Sequence, residues 1–504
     1  MLSKLHANAS QLPPGPSGLK FVNAMKMGMG AFDYLWENFS KYGDLFTLQF
    51  PGMTPFVWMN RPDLVQKIFN LKPEQIDASK LPIPIDIGVR MTGFLNGAEH
   101  MLSRKIVVPP LIAGRLQARA GIMHEIISEH INHLQVGEEF NTPRKIGDIT
   151  MDIAIYTLMG LRGGARAAAY KEVMLNWVGA ATNNTMFTIG TLYGPYRWRE
   201  YLNEKYLEEI AEGSTGTGKH RLLPWMKSVD YKVELGNMFR EDIRRTRAEN
   251  DSKRTDMFSV MCRATYEDGT LLDEERIISE AMGILVGGHE TSAATSAWHM
   301  LWMLKRPDVY KKCREEVLAC IQQHGGFNPL AICELPYCNA VLNESMRLTP
   351  SAVGTLRYLT CDLEVDGYTL PAGTNVLAGA YVIHRRKDIW GADAEEFRPE
   401  RWLEEGRFKP GPFEFFPFGG GRRACVGSNH AKQQLRILWA EFYRRVSFSS
   451  RYSNNDVWPG QQQVSGQTEP TGGVPVRVTR ILPANTGYPE IQTEAAAPKE
   501  VANA

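Results

Sequence analysis

Apolar side chains recur at helical spacing along most of this chain. The pattern predicts helices over roughly 62–70, 98–107, 118–135, 145–160, 168–185, 200–211, 231–249, 274–304, 306–323 and 336–348. One more is predicted from Gly427 to Val446, where Leu435, Ile437, Leu438 and Phe442 keep about the same period. Strand signals are few: Thr47–Trp58, and the hairpin pattern Val365-Asp-Gly367-Tyr-Thr-Leu370 followed by the turn Ala372-Gly373. The fold class is therefore mainly α with a minor β region. The stretch from Glu274 to Leu304 holds no proline, and at 1.5 Å per residue it would run about 45 Å, long enough to cross the whole molecule.

Residues 1–20 form a proline-rich lead-in around Leu12-Pro-Pro-Gly-Pro16, and the tail 484–504, rich in Ala, Pro, Thr and Glu, reads as disordered. The long segment 187–230 contains Gly213-Ser-Thr-Gly-Thr-Gly218-Lys219-His220, close to a phosphate-binding loop. That chemistry fails on two counts. His220 stands where Ser or Thr must hold Mg²⁺, and Tyr206–Ile210 is patterned as helix rather than as the buried strand such a loop follows. The segment reads as a flexible surface loop.

A chain of 504 residues with 43% hydrophobic content can bury a large core. Its formal net charge of +1 gives no electrostatic reason to expect nucleic acid or an anionic membrane as partner. The seven cysteines are an odd number without paired C-x-x-C spacing, which argues against thiolate zinc or iron–sulfur sites and for a reducing cytosol. Residues 1–20 hold no run of about 18 apolar residues and no signal-like apolar core, so the expectation is a soluble, cytoplasmic protein with no membrane anchor.

The chemistry concentrates in Phe418-Gly-Gly-Gly421-Arg-Arg423-Ala-Cys425-Val-Gly427. Each fixed position has a reason if a flat metal complex lies against this loop. Gly419, Gly420, Gly421 and Gly427 let main chain approach a ligand closely. Phe418 packs against ring and sulfur and limits water access. Cys425 precedes a helix, whose N-terminal partial charge favours thiolate. A thiolate bound to iron trans to oxygen favours O–O cleavage.

With these residues the chain resembles the cytochrome P-450 haem-thiolate monooxygenases, and four further segments fit in the family's order. Glu344-Ser-Met-Arg347 is similar to the E-x-x-R of the K helix, and Phe397-Arg-Pro-Glu-Arg401-Trp402 to the downstream P-E-R-F/W. Gly287-Gly288-His289-Glu290-Thr291 resembles the oxygen-activating stretch of the I helix. His100-Met-Leu-Ser-Arg104 resembles W-x-x-x-R with histidine for tryptophan. The resemblance implies a triangular helical prism with small sheets and a long central I helix, one catalytic domain over 21–483, and haem b (iron protoporphyrin IX) with Cys425 as axial iron ligand. The soluble bacterial type fits best, because the anchor helix of microsomal members is missing.

Mid-helix glycines at 287 and 288 each cost roughly 1 kcal/mol against alanine, and room over the iron is the compensating gain. Thr291, four residues after Gly287, can give its hydroxyl to that carbonyl and open a groove for O₂ and water. Glu290 and Thr291 then make a proton relay. Glu344 and Arg347 share a helix face, and by the resemblance Arg401 completes a buried network that clamps this helix to the cysteine loop. The propionates need donors on one side of the ring, for which His100, Arg104, Arg357 and Arg423 are the candidates. Family position sketches a substrate pocket from Phe94, Trp177, Met186, Phe187, Val286, Gly287, Ala352, Val353, Leu356 and Gly472. These are mostly apolar, so a neutral hydrophobic substrate such as a fatty acyl chain, terpenoid or polyketide is favoured. Arg90 is more simply a solvent-facing loop residue than a carboxylate anchor.

No flavin or iron–sulfur module is present in the chain, so electrons must come from a ferredoxin or flavodoxin served by an NAD(P)H-dependent reductase. Arg422, Lys432 and Arg436 with Lys105 could form the patch that receives it. The expected reaction hydroxylates or epoxidises a hydrophobic small molecule with O₂. Two alternatives stay open: a peroxide-driven peroxygenase or haem-thiolate isomerase or dehydratase of the same fold, and a non-catalytic recruitment domain. The pair Glu290-Thr291 argues against the first, and retention of Cys425 against the second.

Overall fold

The computed structural model describes residues 12–216, 223–403, 409–453, 455–464 and 466–488. One helix organises the rest. Glu274–Lys305 starts at Asp273, whose carboxylate accepts from the Arg276 N–H, carries Glu274 and Glu275 in its first turn and Lys305 in its last, and meets no proline. Its 32 residues run about 48 Å. Because it is apolar nearly all round, it must be wrapped by other elements. The helix Thr142–Met159 lies along it, and the helices Met226–Glu249, Pro336–Leu348 and Ser428–Arg445 also pack on it.

The β structure is small. Leu45–Leu48, Phe56–Met59, Asn375–Ala378 and Thr355–Tyr358 form a four-stranded sheet in that spatial order, with Phe56–Met59 and Asn375–Ala378 parallel and the other neighbours antiparallel. Pro475–Ile481 pairs with Val446–Ser449 and Glu139–Asn141, and Gln461–Val464 pairs with Gln467–Pro470. The expectation of a mainly α fold with minor sheets holds.

Several elements differ from the sequence expectation. A helix at Lys20–Tyr42 was not predicted, because its first half shows Phe21, Met25 and Met29 to solvent and Gly30 breaks the helical geometry, which hides the usual inward stripe. The single strand expected over Thr47–Trp58 is a hairpin turning at Pro51–Met53. The helix expected at 168–185 runs from Gly164 to Ala181, and Asn183 caps a new one, Asn184–Tyr193. Gly194, at φ +103°, and Pro195 then separate it from Pro195–Ala211, so much of 187–230 is helical. Helix does precede Gly213, while 217–222 lie outside the described residues, as do 1–11 of the lead-in and 489–504 of the tail. Residues 484–488 are ordered: Arg444 Nη1 donates to the carbonyls of Ala484 (2.7 Å) and Thr486 (3.0 Å). All seven cysteines are free thiols, and no described helix is long and apolar enough to cross a membrane.

Candidate active site

The cysteine loop is built on close approaches. Gly421 has φ +67°, and a Cβ there would stand 2.2 Å from the Phe69 carbonyl oxygen; at Gly420 it would strike the Phe69 ring at the same distance. Only glycine lets this bulge lie on the helix Pro62–Phe69. The Gly419 N–H donates to Phe416 O (2.9 Å) and the Cys425 N–H to Phe418 O (3.0 Å), which fixes the sulfur's position ahead of the helix Ser428–Arg445. Cys425 exposes surface, yet burial is what chiefly pushes its thiol pKa up. The two agree because the exposed surface is the wall of an internal cavity. The Gly427 N–H, Arg104 and Lys432 pull the other way, so the helix terminus expected to favour thiolate is outweighed by desolvation in the protein alone.

That cavity has a volume of about 550 Å³ and is bounded on its far side by the central helix. Gly287, Gly288 and Thr291 line it with Cys425. The Thr291 hydroxyl donates to Gly287 O at 2.8 Å, and the helix remains unbroken there. Glu290 is turned about 100° from Thr291 by helical geometry. It lines a separate polar cavity of about 450 Å³ with Arg144, Asp148, His289, Gln467 and Glu469.

Along one wall stand His100, Arg104, Arg357 and Arg423. Arg104 donates to Ala424 O (2.9 Å), Arg357 to Leu356 O (2.8 Å) and Gly420 O (3.3 Å), and Arg423 Nη2 to Asn96 Oδ1 (3.2 Å) while its Nη1 has no partner. Among the described residues none of the three arginines pairs with a carboxylate; Asp77, on the same wall, is taken up by Ser79 and Asn96. Burial, then the neighbouring guanidinium, brings Arg357 and Arg423 down to about 10. Burial, then the three arginines, brings His100 to about 4, so it is a neutral donor or acceptor. Three desolvated cations with no ion-paired carboxylate, beside a lone cysteine, fit a flat dianionic metal complex.

Behind the loop, Glu344 accepts from Arg347 Nε and Nη2 (2.8 Å each), Arg401 Nε (2.9 Å), Trp402 Nε1 (2.9 Å) and the Arg398 N–H (2.9 Å). Glu344 and Arg347 are wholly buried. Arg347 Nη1 reaches His384 O (2.7 Å), and His384 Nε2 accepts the Phe416 N–H (3.1 Å). The chain of bonds thus runs from the helix Pro336–Leu348 through His384 into the cysteine loop. Sequence reasoning passed over His384, since nothing in its local pattern marks it.

Of the residues sketched for a substrate pocket, Gly287, Ala352 and Leu356 line the cavity. Seven stand elsewhere. Phe94 lies under the Arg199 guanidinium (4.0 Å), Trp177 and Val286 pack into the main core, and Met186 joins a small core with Trp198 and Val233. Phe187 is half-buried on the added helix Asn184–Tyr193, whose presence shifts the register assumed from family position. Val353 O is held by the Tyr381 N–H, and Gly472 O by Asn141 Nδ2 in a turn between strands. Arg90 is bound to Asp273 (2.7 Å) and Tyr266 (3.1 Å). Cavity residues not foreseen include Glu280, Thr157 and Tyr358.

The family model described as Cytochrome P450 matches residues 13–471. The putative cytochrome P450 135B1 of Mycobacterium tuberculosis is 25% identical over 478 residues, covering 94% of this chain and 93% of that protein. The lanosterol 14-alpha demethylase of Mus musculus is 26% identical over 461 residues, covering 88% and 84%. Among solved structures, a retinoic acid bound cyanobacterial CYP120A1 superposes with a TM-score of 0.71 at 19% identity, covering 93% of this chain and 99% of that one. That likeness carries the fold, and proteins of this family bind haem b through a cysteine thiolate.

Proposed function

Because the chain belongs to the cytochrome P450 family, we propose that it is a haem-thiolate monooxygenase in which Cys425 is the iron ligand and Thr291 the distal proton-handling group. One observation carries this reading: Cys425 and the Gly287–Thr291 groove line a single cavity together with three arginines that, among the described residues, form no ion pair. When bound there, haem b supplies O₂ binding, reduction and O–O cleavage.

The protein's own groups do the rest. Arg104, Arg357, Arg423 and His100 hold the propionates and so orient the ring. Phe418 and Gly419 shield the sulfur from water. Because the Thr291 proton is donated to Gly287 O, the hydroxyl oxygen presents lone pairs to the cavity and can hold a water at the distal side. Glu290, on the polar cavity behind the same helix, exchanges protons with solvent and relays them to that water. The walls at Leu356, Ala352 and Ile284 are apolar and suit a hydrophobic substrate for hydroxylation or epoxidation.

Electrons arrive from a ferredoxin or flavodoxin with its NAD(P)H-dependent reductase. Arg422 and Lys105 are exposed and Lys432 and Arg436 half-buried around the cysteine loop, a positive face for an acidic carrier. A cytoplasmic location goes with this partnership. Isotopically labelled O₂ tests the reading: one labelled oxygen should enter an apolar substrate in an NAD(P)H-dependent turnover, and Thr291→Ala should raise peroxide released per NAD(P)H several-fold with haem retained. Turnover driven by peroxide alone, with no label incorporated from O₂, would favour the peroxygenase instead.

A further inference from the structure

The cavity wall holds a carboxyl group that the proposed chemistry does not use. Glu280 is only 5% exposed, yet it lines the same cavity as Cys425. On the central helix it shares a stripe with Ile284, Gly287 and Thr291, the spacing i, i+4, i+7 and i+11 that stays on one face. Eleven residues separate Glu280 from Thr291, a rise of about 16 Å. It therefore marks the end of the cavity remote from the reacting position.

Its surroundings leave it without a hydrogen-bonded cation among the described residues. Glu280 accepts hydrogen bonds from Thr92 Oγ1 (2.9 and 3.0 Å to its two oxygens) and from Ser103 Oγ, and the Arg276 Nε lies 3.9 Å away. Arg276 is shared with the exposed Glu99 (3.5 Å), and among the described residues it is the one cation that faces Glu280 within 4 Å. Elsewhere the cavity is lined by Arg104, Arg357 and Arg423 with Asp77. Three neutral donors, the Thr92 and Ser103 hydroxyls and the Thr92 N–H, and a guanidinium beyond hydrogen-bond distance attend the roughly four acceptor sites of this carboxylate, which leaves room for a further donor. Burial pushes the Glu280 pKa up, against the pull of the Ser103 and Thr92 hydrogen bonds and Arg276.

We infer that Glu280 is a specificity-determining residue that receives the polar head of an elongated apolar substrate, and that this head is a hydrogen-bond donor, a hydroxyl or a cationic nitrogen group, rather than a carboxylate. The inference rests on the haem-thiolate reading and narrows it: a free fatty acid is the wrong substrate, whereas a long-chain alcohol or guanidinium-type cation is of the right class. The apolar body lies along Ile284, Met91 and Leu81, with the attacked carbon near Thr291.

The test uses the haem-loaded full chain and spin-state titration with dodecylguanidinium, dodecanol and dodecanoate. These share one chain and do not offer iron a neutral amine. Wild type should bind dodecylguanidinium and dodecanol at least tenfold more tightly than dodecanoate. Glu280→Gln should erase that preference, while Thr92→Val, which removes a competing internal donor and keeps the carboxyl, should preserve or sharpen it. Dodecanoate binding as tightly as dodecylguanidinium to wild type would overturn the inference. So would Glu280→Gln that keeps its carbonyl band and its preference. Should that variant lose haem, the wild-type comparison and Thr92→Val decide. A wild type that itself shows no thiolate carbonyl band would instead strike down the underlying reading.

Discussion

Arg423 illustrates at the scale of one residue the tension in a wall built of cations. Its guanidinium is half-buried, repelled by Arg104, and leaves one nitrogen without a partner. Removing it should therefore act in opposite directions in two states of the protein. Arg423→Ala is expected to leave the haem-free protein as stable or more stable by about 1 kcal/mol, since an unsatisfied buried donor disappears. The same variant should bind haem roughly ten- to a hundredfold more weakly, the worth of one charge-assisted bond. Thermal melts of both forms and a haem titration check this; a loss of stability in the haem-free form would show that Arg423 serves the fold instead. Candidate site residues such as Cys425, Arg104 and Thr291, which share one cavity, were legible in the sequence because the chemistry dictates residue type and spacing. His384 and Glu280 were not, because a buried histidine and a helical glutamate acquire meaning only from what the fold sets beside them.

At the scale of elements, the helix Pro336–Leu348 is fastened to the cysteine loop by one carboxylate. Glu344 receives five hydrogen bonds from Arg347, Arg401, Trp402 and the Arg398 N–H, all within 2.9 Å. Glu344→Gln should strand two buried guanidiniums and cost about 3 to 5 kcal/mol, read as a fall in the denaturation midpoint at unchanged m-value, with haem lost first. A change below about 1 kcal/mol would contradict a clamping role for Glu344. The long helices were legible because each buries a broad apolar stripe. Lys20–Tyr42 escaped notice for the converse reason, and the C-terminal strands because Gln461–Val464 and Gln467–Pro470 are too short and polar to carry a period-two signal. The helix Asn184–Tyr193 and the break before it at Thr182–Asn183 lie outside the periodic signal, because apolar spacing alone runs on past Ala181 and does not register the Asn183 cap.

The whole molecule buries histidines that it keeps neutral. His299, bonded to Ser345 Oγ (2.8 Å) and Tyr443 OH (2.5 Å), and His384 are both brought down to about 3 by burial. Their folded pKa values lie below the ordinary 6.5, so the unfolded chain takes up protons first. Stability is complete above about pH 6.5 and falls as pH drops toward 3, by about 1.4 kcal/mol per pH unit for each histidine. Between pH 6.5 and 5, where ordinary carboxylates are still ionised, His299→Gln should reduce the slope by that one-histidine amount; an unchanged slope would mean that His299 is charged in the fold. Protonating His384 would also turn its Nε2 from acceptor into donor against the Phe416 N–H, so acid should loosen the cysteine loop as it destabilises the whole. The account as a whole depends on the sulfur of Cys425 binding iron as thiolate. The ferrous–carbonyl spectrum reports this directly: the intact protein should absorb at about 450 nm and Cys425→Ala should lose that band, whereas a wild-type band at about 420 nm would contradict thiolate ligation.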